Sequence, residues 1–255
     1  MYHTGLVSVS FRDLSPEEII HAIKIAGLKW IEWGSDVHAP CTDKKRLQEI
    51  AMLQQAEDIT CSSYGTYFVL GQDKPEALLP YIEAAKILGT STLRLWCGET
   101  GSRAYTPLEL AALYCECRQA AQLAEEHQVT LCMECHNDTL TDRKESALQL
   151  MKAVNSPSFR MYWQPNQHLT QEENIAYVQS LAPYIHHVHV FNWFHPFGGE
   201  LERYSLAEGL DIWTQYLSCL TGDRTLLLEF VPDDRIESLY AEASALHRLV
   251  KRLEK

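Results

Sequence analysis

Val129-Thr-Leu-Cys-Met-Glu134, Phe159-Arg-Met-Tyr-Trp-Gln164, Ile185-His-His-Val-His189 and Thr225-Leu-Leu-Leu-Glu229 are four short runs, each closing on a side chain that can ligate a metal. A helix-length segment separates each run from the next. Runs of this kind read as buried parallel strands. In a (β/α)8 barrel the C-terminal ends of the strands converge on one face and form the active site. Four adjacent ends with oxygen and nitrogen donors therefore predict a divalent cation there.

The same alternation extends upstream. Leu6 to Phe11 is strand-like, and Ser15-Pro16-Glu17-Glu18 then supplies an N-cap, a proline at the first helical position and an acidic first turn. Trp30 to Trp33, Ile59 to Ser63 and Thr92 to Cys97 read as strands two to four, with helices over Lys44 to Glu57 and Lys74 to Leu88. Thr106-Pro107 opens a helix toward His127, and further helices are expected over Gln171 to Leu181, Leu210 to Leu220 and Ile236 to Lys255. No linker or low-complexity stretch interrupts residues 1–255, so the expectation is one (β/α)8 TIM-barrel domain in the α/β class.

Composition narrows the function. A formal charge of −12 opposes binding to nucleic acid, whose phosphates are held by Lys and Arg clusters. The first residues lack the basic stretch and apolar core of a signal peptide, and no apolar run approaches the ~20 residues of a membrane span. A cytoplasmic protein without membrane or nucleic-acid partners is expected, with homo-oligomerisation left open. The eight cysteines read as reduced core residues. Cys132 and Cys135, three apart in a strand, should face opposite sides.

Taken together, Glu134, Gln164, His189 in a His-Val-His run, and Glu229 resemble the xylose isomerase-like TIM barrels of the sugar phosphate isomerase/epimerase group. Ile31-Glu32, the Glu134 to Asp142 stretch, Asn192, Arg203 and Glu208-Gly209 before Asp211-Ile-Trp213 support a similarity over nearly the whole chain. The resemblance implies that Glu134 and Glu229 bind the metal and act as an acid/base pair, that Gln164 and His189 complete the ligand set, and that Arg203 grips substrate. The family usually places aspartate where this chain has Gln164. An amide oxygen binds a hard cation but brings no charge, so metal affinity should fall.

The implied reaction is isomerisation or epimerisation of a small sugar or sugar derivative through an enediolate, with Mn²⁺ or Mg²⁺ preferred to Zn²⁺. Glu32 and His136 share the inward parity of the ligands and are candidate substrate contacts, together with Asn166 and Trp96. Among the other aromatics, Phe191 is the second expected to reach the pocket. His186 is expected on the solvent side, His187 in support of the site, and His38 in a loop. The segment Phe194 to Arg203, with its Gly-Gly pair, reads as a lid. The alternative is a non-catalytic or metal-free polyol-binding barrel, with Gln164 as its mark. An abasic-site nuclease of the same fold fits poorly with the acidic charge.

Overall fold

The computed structural model of the chain describes residues 1–195 and 199–254. Eight parallel strands, β1 (Tyr2–Val7), β2 (Trp30–Gly34), β3 (Thr60–Leu70), β4 (Thr92–Cys97), β5 (Thr130–Glu134), β6 (Phe159–Trp163), β7 (Ile185–Val190) and β8 (Arg224–Leu228), close into a barrel in sequential order, β8 pairing with β1. Eight helices surround it: α1 (Pro16–Ile25), α2 (Lys44–Ala56), α3 (Leu79–Ile87), α4 (Pro107–His127), α5 (Lys144–Val154), α6 (Gln171–Leu181), α7 (Leu210–Leu217) and α8 (Ile236–Leu253).

Local chemistry explains where the helices begin. Ser15, Thr106 and Thr170 each accept a hydrogen bond from the backbone of a glutamate three residues on, whose carboxylate reaches back to the cap. Two orphan N–H groups are satisfied at each start. The predicted helix from Lys74 is divided, a 3₁₀ turn at Pro75–Leu78 leading into α3. Helix α5 has no side-chain cap, and its start gives the sequence no strong signal.

Two strands depart from expectation. β1 lies earlier than Leu6 to Phe11, because Ser8–Phe11 turns into a 3₁₀ helix. That turn is held by its serines: Ser8 Oγ accepts from the Gly34 N–H at 2.9 Å, and Ser10 Oγ from the Phe230 N–H at 2.8 Å across 220 residues of chain. β3 runs on to Leu70, with irregular registers toward both neighbours.

The main apolar core lies between strands and helices, whereas a second cluster of Val7, Val9, Cys132, Tyr162 and Leu227 is separate from it. Cys132 belongs to that second cluster and Cys135 to the main core, as their spacing in a strand requires. Cys115 is exposed, and Cys41 and Cys219 are half-buried, which corrects the expectation that every cysteine is a core residue. No helix among the described residues is long and apolar enough to cross a membrane.

Candidate active site and metal centre

The ends of β5, β6, β7 and β8 bring Glu134, Gln164, His189 and Glu229 together, all four buried. Nδ1 of His189 lies 2.9 Å from Gln164 Oε1, 3.4 Å from Glu134 Oε1 and 3.6 Å from Glu229 Oε2. Ligands held ~2.1 Å from a single ion are ~3.0 Å apart at right angles and ~3.4 Å apart at tetrahedral angles. The spacings from Nδ1, 2.9 to 3.6 Å, lie close to that range. One ligand atom from each of Glu134, His189 and Glu229 lies within 4.8 Å of the other two, so this trio could hold a metal ion.

Charge and protonation fit a cation as well. Glu32, Glu134 and Glu229 are buried carboxylates, and with a neutral His189 imidazole the single buried guanidinium among them, Arg94, leaves two negative charges uncompensated. A divalent ion would close that balance. Nε2 of His189 has no hydrogen-bond partner and points toward Glu32 Oε1 at 3.6 Å. With Nδ1 on a metal, the ring proton would sit on Nε2 facing a carboxylate, the arrangement that commonly orients metal-bound imidazoles. Without one, burial opposes charge on His189, but Glu229, Glu134 and Glu32 outweigh it and push the imidazole up to about 10.

The two strand-end glutamates differ in what surrounds them. Glu134 Oε2 accepts from Arg94 Nη1 at 2.6 Å and from Trp96 Nε1 at 2.5 Å. Burial alone would raise its carboxyl, but Arg94 and His189 hold it below the ordinary range. For Glu229 burial wins with the help of Glu134, and the carboxyl is raised. Glu229 also keeps an edge on the open cavity, its side chain 11% exposed.

That cavity, about 250 Å³, lies over the strand ends. Trp96, Glu134, His136, Gln164, Asn166 and Glu229 are among the residues that line it. His136 is exposed, its ring centroid 5.3 Å from that of Trp96. Asn166 has its polar atoms engaged in a turn, Oδ1 accepting from the His168 N–H and Nδ2 donating to the Asp142 carbonyl. Glu32 is fully buried and off the cavity wall, held by Arg94 Nε at 2.8 Å and Ser63 Oγ at 2.8 Å.

Arg203 lies outside the cavity lining. It pairs with Asp234 and stands over the rings of Trp193 and Phe230, at 5.3 and 4.7 Å from their centroids. Phe191, expected in the pocket, is buried and stacks on Trp193, which takes its place in the wall with Tyr67 and Phe230. His38 is buried and bonded to the Leu14 carbonyl. His186, expected on the solvent side, is half-buried, with Nε2 3.3 Å from Thr92 Oγ1. The proposed lid forms a short hairpin, Trp193–Phe194 against Glu202–Arg203. Its residues 196–198, including Phe197 and one glycine of the pair, lie outside the described residues.

Besides these wall aromatics, two charged residues of the site were missed. Arg94 is the lone charge in Thr92-Leu-Arg-Leu-Trp-Cys97, and a buried strand carrying one arginine signals an internal carboxylate partner. Arg12, at the cavity mouth, gave no comparable signal.

A family model described as "xylose isomerase-like TIM barrel" matches residues 20–248. A 3-dehydroshikimate dehydratase from Bacillus anthracis is 26% identical over 212 residues, 74% of this chain and 71% of that protein. Among solved structures, the probable 3-DHS dehydratase AsbF of Bacillus anthracis superposes with a TM-score of 0.78 at 21% identity, covering 97% of this chain and 99% of that one. An L-ribulose 3-epimerase gives a TM-score of 0.71 at 15% identity, covering 100% and 96%.

Proposed function

The chain belongs to the xylose isomerase-like TIM barrel family, and from that premise we propose that it is an enzyme that removes a proton from the carbon beside a carbonyl in a small, sugar-like substrate. The observation that carries the reading is the convergence of Glu134, Gln164, His189 and Glu229 beneath an open cavity, at spacings suited to one divalent ion. Mn²⁺ or Mg²⁺ suits a set of three oxygens and one imidazole better than Zn²⁺. When bound, the ion supplies Lewis-acid polarisation of the substrate carbonyl.

The residues divide the remaining work. Glu134, fixed by Arg94 and Trp96, serves as an oriented ligand with little proton affinity to spare. Glu229 has an oxygen toward the cavity and takes the proton. His136, exposed just past the end of β5, is placed to exchange a proton with bulk solvent and the substrate. Trp96, Trp193 and Phe230 offer faces to the C–H side of the ring.

Three products share that first step. Return of the proton to the opposite face gives an epimer, and return to the neighbouring carbon gives an isomer. If a hydroxyl on the next carbon leaves instead, taking a proton from His136 to depart as water, the product is an alkene. The dehydratase relative supports this elimination, and the epimerase fold neighbour is compatible with proton return. A ligand-binding barrel without catalysis is the second reading, favoured by the uncharged Gln164 in the ligand set.

The test is exchange in deuterated water. Mn²⁺-loaded protein is incubated with ketoses and hydroxylated cyclohexanones, and deuterium uptake and water loss are followed by NMR. Glu229→Gln should slow uptake ~10²–10⁴-fold, whereas Glu134→Gln should chiefly weaken Mn²⁺ binding. Exchange that persists in Glu229→Gln refutes its role as base, and ligand binding without any exchange selects the non-catalytic reading.

A further inference from the structure

Two cationic arginines line the cavity, and they are not equivalent. Arg94 is spent on Glu32 and Glu134 at the floor. Arg12 stands at the mouth with 41% of its side chain exposed. Its Nε donates to Asp36 Oδ2 at 2.8 Å, Nη1 to the Val9 carbonyl at 3.1 Å, and Nη2 to the Tyr67 hydroxyl at 2.7 Å. Tyr67 in turn donates to Asp36 Oδ2 at 3.1 Å, closing a ring of bonds that fixes the guanidinium. A guanidinium has five N–H donors, so one on each terminal nitrogen remains free.

We propose that Arg12 anchors a carboxylate of the substrate, so that the molecule taken by this site is a polyhydroxylated carboxylic acid and not a neutral sugar. The inference rests on the proton-abstraction reading of the same cavity. A fork held in advance loses little freedom when it binds an oxyanion. The Phe230 ring, its centroid 6.0 Å from Arg12 Cζ, gives the mouth an apolar wall that strengthens a charge-assisted bond. Glu134 and Glu229 lie at the floor of the cavity and Arg12 at its rim. A carboxylate held at the rim leaves the carbonyl of the same molecule to reach the floor, over the candidate metal ligands.

Carboxylate fits better than phosphate. Phosphate sites typically add a helix N-terminus or several backbone N–H groups, and none of α1 to α8 contributes a residue to the lining of this cavity among the described residues. The volume of about 250 Å³ suits one small ring with its substituents. The competing account makes Arg12 and Asp36 an ordinary rim ion pair, which would leave ligand binding indifferent to charge.

Calorimetric titration of the Mn²⁺-saturated protein with glucuronate and galacturonate, their methyl esters, and the corresponding hexose 6-phosphates separates these accounts. The acids should bind at least ~10-fold tighter than the esters, and Arg12→Gln should remove that preference, losing ~10- to 100-fold for the acids and little for the esters. Arg12→Lys should retain part of it. If Arg12→Gln does not fold, Tyr67→Phe, which frees the guanidinium to swing, should lower the acid preference several-fold. The proposal is overturned if acid and ester bind alike or neither binds the wild type, if the preference survives Arg12→Gln or Tyr67→Phe unchanged, or if the 6-phosphates bind tighter than the acids. Equal binding of acid and ester by the wild type with deuterium exchange intact removes only the anchor. Absence of exchange with the acid preference intact removes only the proton chemistry.

Discussion

Replacing Arg94 by methionine keeps the length and removes the charge that stands between Glu32 and Glu134. The guanidinium and both carboxylates are at most 4% exposed, at 2.8 and 2.6 Å, so solvent screens neither pair. Breaking a buried pair by removing one partner typically costs ~3–5 kcal/mol. At ~2–4 °C per kcal/mol for a chain of this size, the melting temperature in EDTA should fall by ~6–20 °C. The pH dependence gives a second signature. Burial alone would raise Glu32 and Glu134, but Arg94 and His189 hold both low. Their stabilisation is therefore present above ~4.5 and is lost as pH falls through the lowered folded values. In the variant burial prevails, so its deficit against wild type should shrink below pH ~4.5. Mn²⁺ should narrow the gap as well, since a cation at 100 times its Kd stabilises by ~2.7 kcal/mol and no guanidinium now opposes it. Urea unfolding of both proteins, with EDTA and with Mn²⁺, measures all three. A deficit below ~1 kcal/mol, or one that Mn²⁺ does not reduce, would refute the charge balance argued for this site.

Gln164→Asp adds a negative charge to the ligand set and should tighten Mn²⁺ binding ~10-fold or more in a competition titration; unchanged affinity would mean that Gln164 stands outside the metal's inner sphere. Gly65→Ala would place a Cβ 2.5 Å from Glu32 Oε1 and 2.8 Å from Arg94 Nη2. Thermal melts should show a loss of ~1–3 kcal/mol, and an unaltered melt would show that the pair can shift freely. Burial pushes His186 down to about 4 and His187 down to about 3. Between those values and ~6.5 the unfolded chain binds protons the folded one does not, so stability should decline as pH drops below ~6.5, by up to ~1.4 kcal/mol per pH unit for each histidine. His187→Gln should reduce that slope by about half, and a slope unaffected by the substitution would argue against burial as its source.

Most strand positions, and the cluster of polar side chains at their ends, were legible because both follow from periodicity. Runs buried on both sides announce themselves by composition, and a polar residue at the end of such a run stands out. Segments set by single hydrogen bonds were not. Ser8 to Phe11 continues the apolar pattern of β1, yet its serine hydroxyls draw it into a turn. The mouth of the cavity is assembled from loops, so neither Arg12, nor Tyr67 as its clamp, nor the retreat of Arg203 behind Phe230 and Trp193 could be read from spacing. Arg94 does carry a sequence signal, the lone charge of an apolar run, but it sits in the middle of β4 and not at the strand end where the other site residues gather.

Phe230, which follows Glu229, holds a left-handed backbone with φ of 54°, and among the described residues the other non-glycine positions in that region are all Asp, Asn or Gln. Its N–H is tethered to Ser10 from the opposite end of the chain. A contact between residues so far apart in sequence forms only after a large loop has closed, and its entropic cost is met late in folding. The orientation of Glu229 thus waits for β8 to meet β1. A partly folded chain would have β5, β6 and β7 in place with the candidate ligand set incomplete, and could not offer an ion the four side chains that the closed barrel brings together. Refolding should accordingly proceed at nearly the same rate with or without Mn²⁺, and the metal should act by slowing the reopening of the barrel.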